Sequence, residues 1–150
     1  LCVHEPAGNL PDVGGGNAVF VDAKAFLPHI PQKSLLAQAL AAAIYVDSGV
    51  RAMERGIVSA GKDTQTNQEH KPELELVRLT LPRRVYTQTH LDYVSRGMQN
   101  TFQRRESICG LKFVYEPKYL RFFQARFKPV LNRTKPRKLH AAGGKQSVKV

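Results

Sequence analysis

The apolar and polar positions divide the chain into short segments, and the most informative is LELVRLTLPRR, from Leu74 to Arg84. Leu74, Leu76, Val77, Leu79 and Leu81 form a nearly continuous apolar run closed by Pro82, a pattern that predicts a strand covered on both faces. Arg78 interrupts the run at its centre. A guanidinium cannot shed its charge, so Arg78 either meets a fixed carboxylate, faces water on an edge strand, or waits for an anionic ligand that its planar fork grips with two hydrogen bonds. Glu54, Glu73 and Glu75 are the carboxylates on offer, and the pattern leaves the three readings open.

Upstream, Val19 and Val21 alternate with Ala18, Phe20 and Asp22 in strand fashion. The preceding Gly14-Gly15-Gly16 leads into a strand and does not join strand to helix, so it reads as a loop permitting close backbone approach in preference to a phosphate cradle. Ser34 is placed to cap a helix whose Leu36, Leu40, Ala43 and Ile44 fall at helical spacing, and Gly49 to end it. A short strand over Val50–Glu54 follows, then a long polar loop, RGIVSAGKDTQTNQEHKPE. Beyond the Arg78 strand, Thr87 or Thr89 caps a second helix with Leu91, Val94, Met98 and Phe102 as its apolar face, Thr89 and Asp92 being spaced like an acidic capping box. LKFVYEP predicts a strand stopped by Pro117, and Tyr119 to Phe127 a last helix or strand rich in aromatics. This order, β, α, β, loop, β, α, β, β, predicts an α+β layer in which a few-stranded sheet is covered by helices. Residues 1–13 read as irregular coil, 14–130 as the folded domain, and 131–150 as a disordered basic tail with few core-forming side chains.

Composition adjusts this picture only slightly. With 150 residues and 42% hydrophobic content the chain has material for one core. Its formal charge of +11 suggests nucleic acid, but Arg133, Lys135, Arg137, Lys138, Lys145 and Lys149 all lie after Leu131 with no acid among them. The remainder is mildly basic, so a solvated tail is favoured over nucleic-acid contact or a nuclear address. Cys2 and Cys109 are too few for a disulfide framework and suit buried or idle thiols in a reducing compartment. No apolar run is long enough for a membrane span, and no basic-then-apolar leader is visible, so neither anchor nor secretion signal is expected and cytoplasm is the default. The histidines show no i, i+4 pairing, so no metal site is expected. Ser59 and Lys62 have a Ser-x-x-Lys spacing, but the surrounding polar loop offers nothing to desolvate the lysine, and the pair reads as a decoy. In Arg51-Ala52-Met53-Glu54-Arg55, strand alternation puts Met53 on one face with Arg51 and Arg55. Such a face either lines a polar pocket with one soft apolar wall or forms a charged edge strand.

Four stretches carry a family likeness: GGGNAVFVDAKAFLPHIP, AQALAAAIYVDSGVRAMERGIVSAGKD, ELVRLTLPRRVYTQTHLDYV and GLKFVYEPKYLRFFQARF. In that order, over about Gly14 to Val130, they closely resemble the C-terminal part of the β-eliminating aromatic amino-acid lyases, the family of tyrosine phenol-lyases and tryptophanases. The resemblance implies the small C-terminal domain of a fold-type I, aspartate-aminotransferase-like enzyme that uses pyridoxal 5'-phosphate and a monovalent cation such as potassium, and that assembles as a homotetramer. It implies that Arg78, the arginine of the VRLT strand, binds the substrate α-carboxylate. MERG and LRFF, where tryptophanases typically have VEIG and LRHF, resemble the phenol-lyase branch. In that branch Arg55 would be the catalytic group holding the phenolic oxygen, with Met53 and Phe122 lining the ring pocket.

The implied reaction is β-elimination of L-tyrosine to phenol, pyruvate and ammonia. A tryptophanase releasing indole is the alternative, and a non-enzymatic module using its basic tail on nucleic acid the rival from another class. Asn17 stands where the family's GGHAVF has histidine, which removes a titratable group near the active site. The resemblance also assigns the Schiff-base lysine, the cofactor-phosphate ligands and the cation ligands to a preceding large domain. No cofactor or metal is therefore expected on these residues alone, nor activity from them. Lys62 falls on the Arg or Lys of the family's SAG-(R/K)-D loop, away from the catalytic lysine.

Overall fold

The apolar run around Arg78 forms the centre of a three-stranded antiparallel sheet in the computed structural model. The structure describes residues 17–63, 65–82 and 84–130; the coil expected at 1–13, the glycine run at 14–16 and the tail at 131–150 lie outside them. The central strand, β3 (Leu76–Thr80), pairs with β1 (Ala18–Asp22) on one side and β2 (Met53–Arg55) on the other. Val77 and Leu79 are buried, but Leu76 and Arg78 are only half-buried and Leu74 is exposed ahead of the strand. The expectation of a strand covered on both faces is thus corrected. The polar members, Arg78 and Thr80, alternate with Val77 and Leu79, so a single face is apolar enough to repay burial.

The covered face packs on α2 (Leu36–Ser48), whose Leu36, Ala37, Leu40 and Ile44 form one core with Val21, Val77 and Leu79. Each large side chain removed from water there contributes about 1.5–3 kcal/mol. Gly49 ends α2 with a left-handed φ of 71° and an N–H donated to the Tyr45 carbonyl at 2.8 Å, the expected stop. The start differs from expectation. Ser34 lies in a 3-10 turn, Gln32–Ser34, and Leu35 takes the cap position with φ 52° and no side-chain cap bond. Leu35 is buried in a second apolar cluster with Ile57 and Val58, and that burial offsets the backbone cost.

A second helix, α4 (Gln88–Gln103), packs on α2 through Gly97, where a Cβ would stand 2.7 Å from the Ser48 Cβ. Thr87, one of the two expected caps, opens α4. Its N–H donates to Nδ1 of His90 at 3.2 Å, so His90 reciprocates the cap and the expected Thr89–Asp92 box does not form. Asp92 instead accepts from Gln88 at 2.8 Å. Val94, Met98 and Phe102 pack on the main core as the periodicity predicts.

Three single helical turns complete the backbone with a hairpin: α1 (Ala23–Phe26), capped by the Asp22 carboxylate; α3 (Ile57–Ala60), immediately after β2; and α5 (Arg121–Gln124). The last of these interrupts a two-stranded antiparallel hairpin, β4 (Leu111–Tyr115) with β5 (Arg126–Pro129), so the final aromatic segment is both helix and strand. The result is a mixed α+β fold with small antiparallel sheets. Of the two expectations for Cys109, buried or idle, burial does not hold: it is an exposed free thiol. Among the described residues no helix is long and apolar enough to cross a membrane.

Candidate functional site

Antiparallel register decides which side chains share the uncovered face. Phe20 and Met53 are both directly opposite Arg78, and Arg55 is opposite Leu76, so Phe20, Arg78, Met53 and Arg55 all project from that side. Arg55 and Arg78 are diagonal neighbours, about 7–8 Å apart by sheet geometry and somewhat less between Cβ atoms. Arg55 is exposed; Arg78 and Met53 are half-buried.

Among the described residues no carboxylate pairs with Arg51, Arg55 or Arg78. The possible partners are placed elsewhere. Glu54 and Glu75 are buried at 2% and 1% exposure, Glu54 on the opposite face in the row of Val77, while Glu73 is exposed in the segment before the strand. Two guanidinium groups thus stand on one face without an ion-pair partner among the described residues, the carboxylate of Asp22 on that face being taken by the backbone of Lys24 and Ala25, an arrangement able to take an anion or a polar oxygen with little desolvation cost.

The other residues picked out by the sequence are distributed differently. Arg51 precedes β2 and borders a shallow recess with Gln38, Ala41 and Tyr45 of α2, apart from the row of Met53. Phe122 sits on α5, half-buried against the Leu35, Ile57 and Val58 cluster, and α5 packs on α3, the turn that follows Arg55 and Gly56. Arg78, Met53 and Arg55 therefore share a face, whereas Phe122 packs in the second core. Phe20 belongs to the same row and was not singled out from the sequence; alternation marked it as a strand residue, but the pairing that sets it beside Arg78 is long-range.

Two further groupings lay beyond sequence reasoning. Lys62 donates to Glu116 at 2.8 Å and lies 3.7 Å from Glu69, while Arg121 reaches Glu69 at 2.7 Å and Glu116 at 3.3 Å. This ionic cluster ties the loop after α3 to α5. Within the loop, Asp63 is held below the usual carboxylate range, first by the Thr66 backbone N–H and then by that of Gln65. The second grouping is Glu54 with Glu75, which converge on Gly56. Burial pushes both carboxyls up, against the N–H donors of Val58 and Ser59 at Glu54 and, at Glu75, against Gln32, the Lys24 charge and the backbone N–H groups of Ala37 and Ile57.

The described residues do not fit the implied pyridoxal phosphate as its holders. A lysine that forms a Schiff base needs surroundings that favour its neutral amine. Lys62 is instead engaged by two carboxylates, and every other lysine among the described residues is exposed.

Residues 13–96, more than half of the chain, match the Beta-eliminating lyase family. The chain is 64% identical over 116 residues to a tyrosine phenol-lyase of Symbiobacterium sp. (strain SC-1), covering 77% of this chain and 25% of that protein. It is 64% identical over 115 residues to one of Pasteurella multocida (strain Pm70), covering 77% and 25%, and 58% identical over 114 residues to one of Nostoc punctiforme, covering 76% and 24%. The chain thus spans about a quarter of the length of the curated relatives it matches. With a family match across the strands that carry Arg55 and Arg78, and relatives of this identity on every side, the chain belongs to the β-eliminating lyase family.

Proposed function

We propose that the chain is the C-terminal portion of a tyrosine phenol-lyase, and that the uncovered face of the β1–β3–β2 sheet is its contribution to the substrate site. The observation that carries this reading is the pair of arginines, one diagonal step apart beside Met53, that have no ion-pair partner among the described residues. An elongated amino acid has a carboxylate at one end and, in tyrosine, a phenolic oxygen at the other. Arg78, on the central strand, takes the α-carboxylate through two parallel hydrogen bonds and so fixes the direction of the α-proton. Arg55, on the edge strand, donates to the phenolic oxygen, where negative charge develops as phenol leaves. Met53 supplies a soft apolar wall, and Phe122, carried on α5, closes on the aromatic ring.

In this reading the rest of the enzyme, of fold type I, holds pyridoxal phosphate and a monovalent cation such as potassium, and the assembly is a homotetramer. The cofactor supplies the electron sink for elimination; the residues of this chain bind, orient and polarise. Grafting residues 14–130 in place of the matching quarter of the Symbiobacterium relative tests the proposal. The graft is expected to release phenol and pyruvate from L-tyrosine when pyridoxal phosphate is supplied, whereas the 150-residue chain alone releases neither. A soluble, cofactor-loaded graft that releases indole from L-tryptophan in preference to phenol from L-tyrosine would overturn it.

A further inference from the structure

Gly56 directly follows Arg55 and is buried between two glutamates drawn from the strand segments that carry the binding arginines. A Cβ at this position would collide with Oε2 of Glu75 and stand 2.8 Å from Oε1 of Glu54, so both carboxyls converge on the space that the glycine leaves. Their partners are unequal. Glu54 accepts at both oxygens, from the Val58 N–H at 3.1 Å and the Ser59 N–H at 2.9 Å. Glu75 accepts at Oε1 from Gln32 at 2.9 Å, while its Oε2 is buried with no hydrogen-bond partner.

An acceptor-only group whose two oxygens take N–H donors is a carboxylate. A carboxyl with one orphaned, buried oxygen, converging with that carboxylate on the site of Gly56, is where a proton resolves the orphan. We propose that Glu54 and Glu75 share one proton across Gly56, residing on Oε2 of Glu75 and donated toward Glu54, and that this bond clamps β2 to β3 and thereby sets the spacing of Arg55 and Arg78. The two glutamates are positioning residues. The part that concerns the spacing of a binding face rests on the function proposed above; the shared proton does not.

Burial of both carboxyls pushes their titration upward, as a retained proton requires. The charged groups acting on the pair are Lys24 of α1, toward Glu75, and Glu75 itself, toward Glu54; Val58 and Ser59 at Glu54, and Gln32 with the backbone N–H groups of Ala37 and Ile57 at Glu75, face them as uncharged donors. A carboxyl whose pKa is raised on folding stabilises the fold below its unfolded pKa and loses that contribution as pH rises through the folded value. Above that pH both carboxyls are charged, repel one another, and release β2 from β3.

The test uses the full 150-residue chain. Side-chain carbonyl NMR should show Glu75 titrating above the ordinary glutamate range while Glu54 is already charged, and the thermal midpoint should fall as pH rises through that titration. Glu75→Gln supplies a permanent N–H donor, so its midpoint should lose this fall. The Nε resonances of Arg55 and Arg78 should shift with pH at the Glu75 midpoint in the parent chain and stay fixed in Glu75→Gln. Two carboxyls titrating independently in the ordinary range, or an unchanged pH slope in Glu75→Gln, would overturn the shared proton. Arginine resonances indifferent to the Glu75 midpoint would overturn the clamp. None of these readouts uses substrate, so failure of the graft to make phenol counts against the proposed function and leaves this inference standing.

Discussion

On the side of the β1–β3–β2 sheet that α2 covers, Val21, Val77 and Leu79 are removed from water; on the other side Phe20, Met53 and Arg78 form one cross-strand row that stays partly open. The same strands carry both sets at alternate positions. The covered side obtains its energy from apolar contact, and the acid it buries, Glu54, has both oxygens satisfied by backbone N–H donors. The open side contributes little to stability, and among the described residues Arg55 and Arg78 have no ion-pair partner there. Alternation thus lets a short strand separate holding the fold from binding, one residue at a time.

The contrast breaks most visibly where the covered face is emptied. Leu40 is fully buried in the main core, so Leu40→Ala should cost about 2–5 kcal/mol in denaturant unfolding; a loss below about 1 kcal/mol would mean that α2 does not anchor the sheet. Next comes the ionic cluster. Arg121→Met leaves Glu69 and Glu116 without their 2.7 and 3.3 Å partner and should cost about 2 kcal/mol, with exchange of the α5 amides rising first. Gly97→Ala places a methyl against Ser48. After a helix-propensity gain of about 1 kcal/mol it should still destabilise by about 1 kcal/mol, read from the same unfolding curves. The smallest effect belongs to the open face. Arg78→Ala should leave stability within about 0.5 kcal/mol, because among the described residues it breaks no ion pair; a loss above about 1.5 kcal/mol would make Arg78 a structural residue.

How much of this was legible in the sequence depended on whether the cause was local. Leu36, Leu40 and Ile44 at helical spacing, with Gly49 behind them, define α2 from neighbouring residues alone, and Arg78 stood out because a charge within an apolar run is visible in one line of sequence. Ser34 misled because Leu35 is claimed by a distant cluster with Ile57 and Val58, which overrides local capping preference. The single helical turns were missed because four residues carry too little period to register. Within the candidate site, alternation grouped Arg55 with Met53 as the strand has them, though Arg51, grouped with them, precedes β2; that Arg78 and Phe20 share the face is a matter of register between strands far apart in the chain. The convergence of Glu54 and Glu75 on Gly56 is likewise invisible locally: Glu75 reads as one more acid beside a polar loop until the fold sets it against the glycine.

Whether Arg78 and Arg55 hold opposite ends of one substrate, as proposed, is decided by kcat/KM on the grafted enzyme. Arg78→Ala and Arg55→Ile are each compared on L-tyrosine and on an S-alkyl cysteine, which shares the α-carboxylate but has no phenolic oxygen. The account predicts that Arg78→Ala depresses both substrates, while Arg55→Ile loses about 2–4 kcal/mol of transition-state stabilisation on tyrosine and stays near the parent on the S-alkyl cysteine. An equal loss on both substrates for Arg55→Ile would contradict it, removing the leaving-group role from the open face.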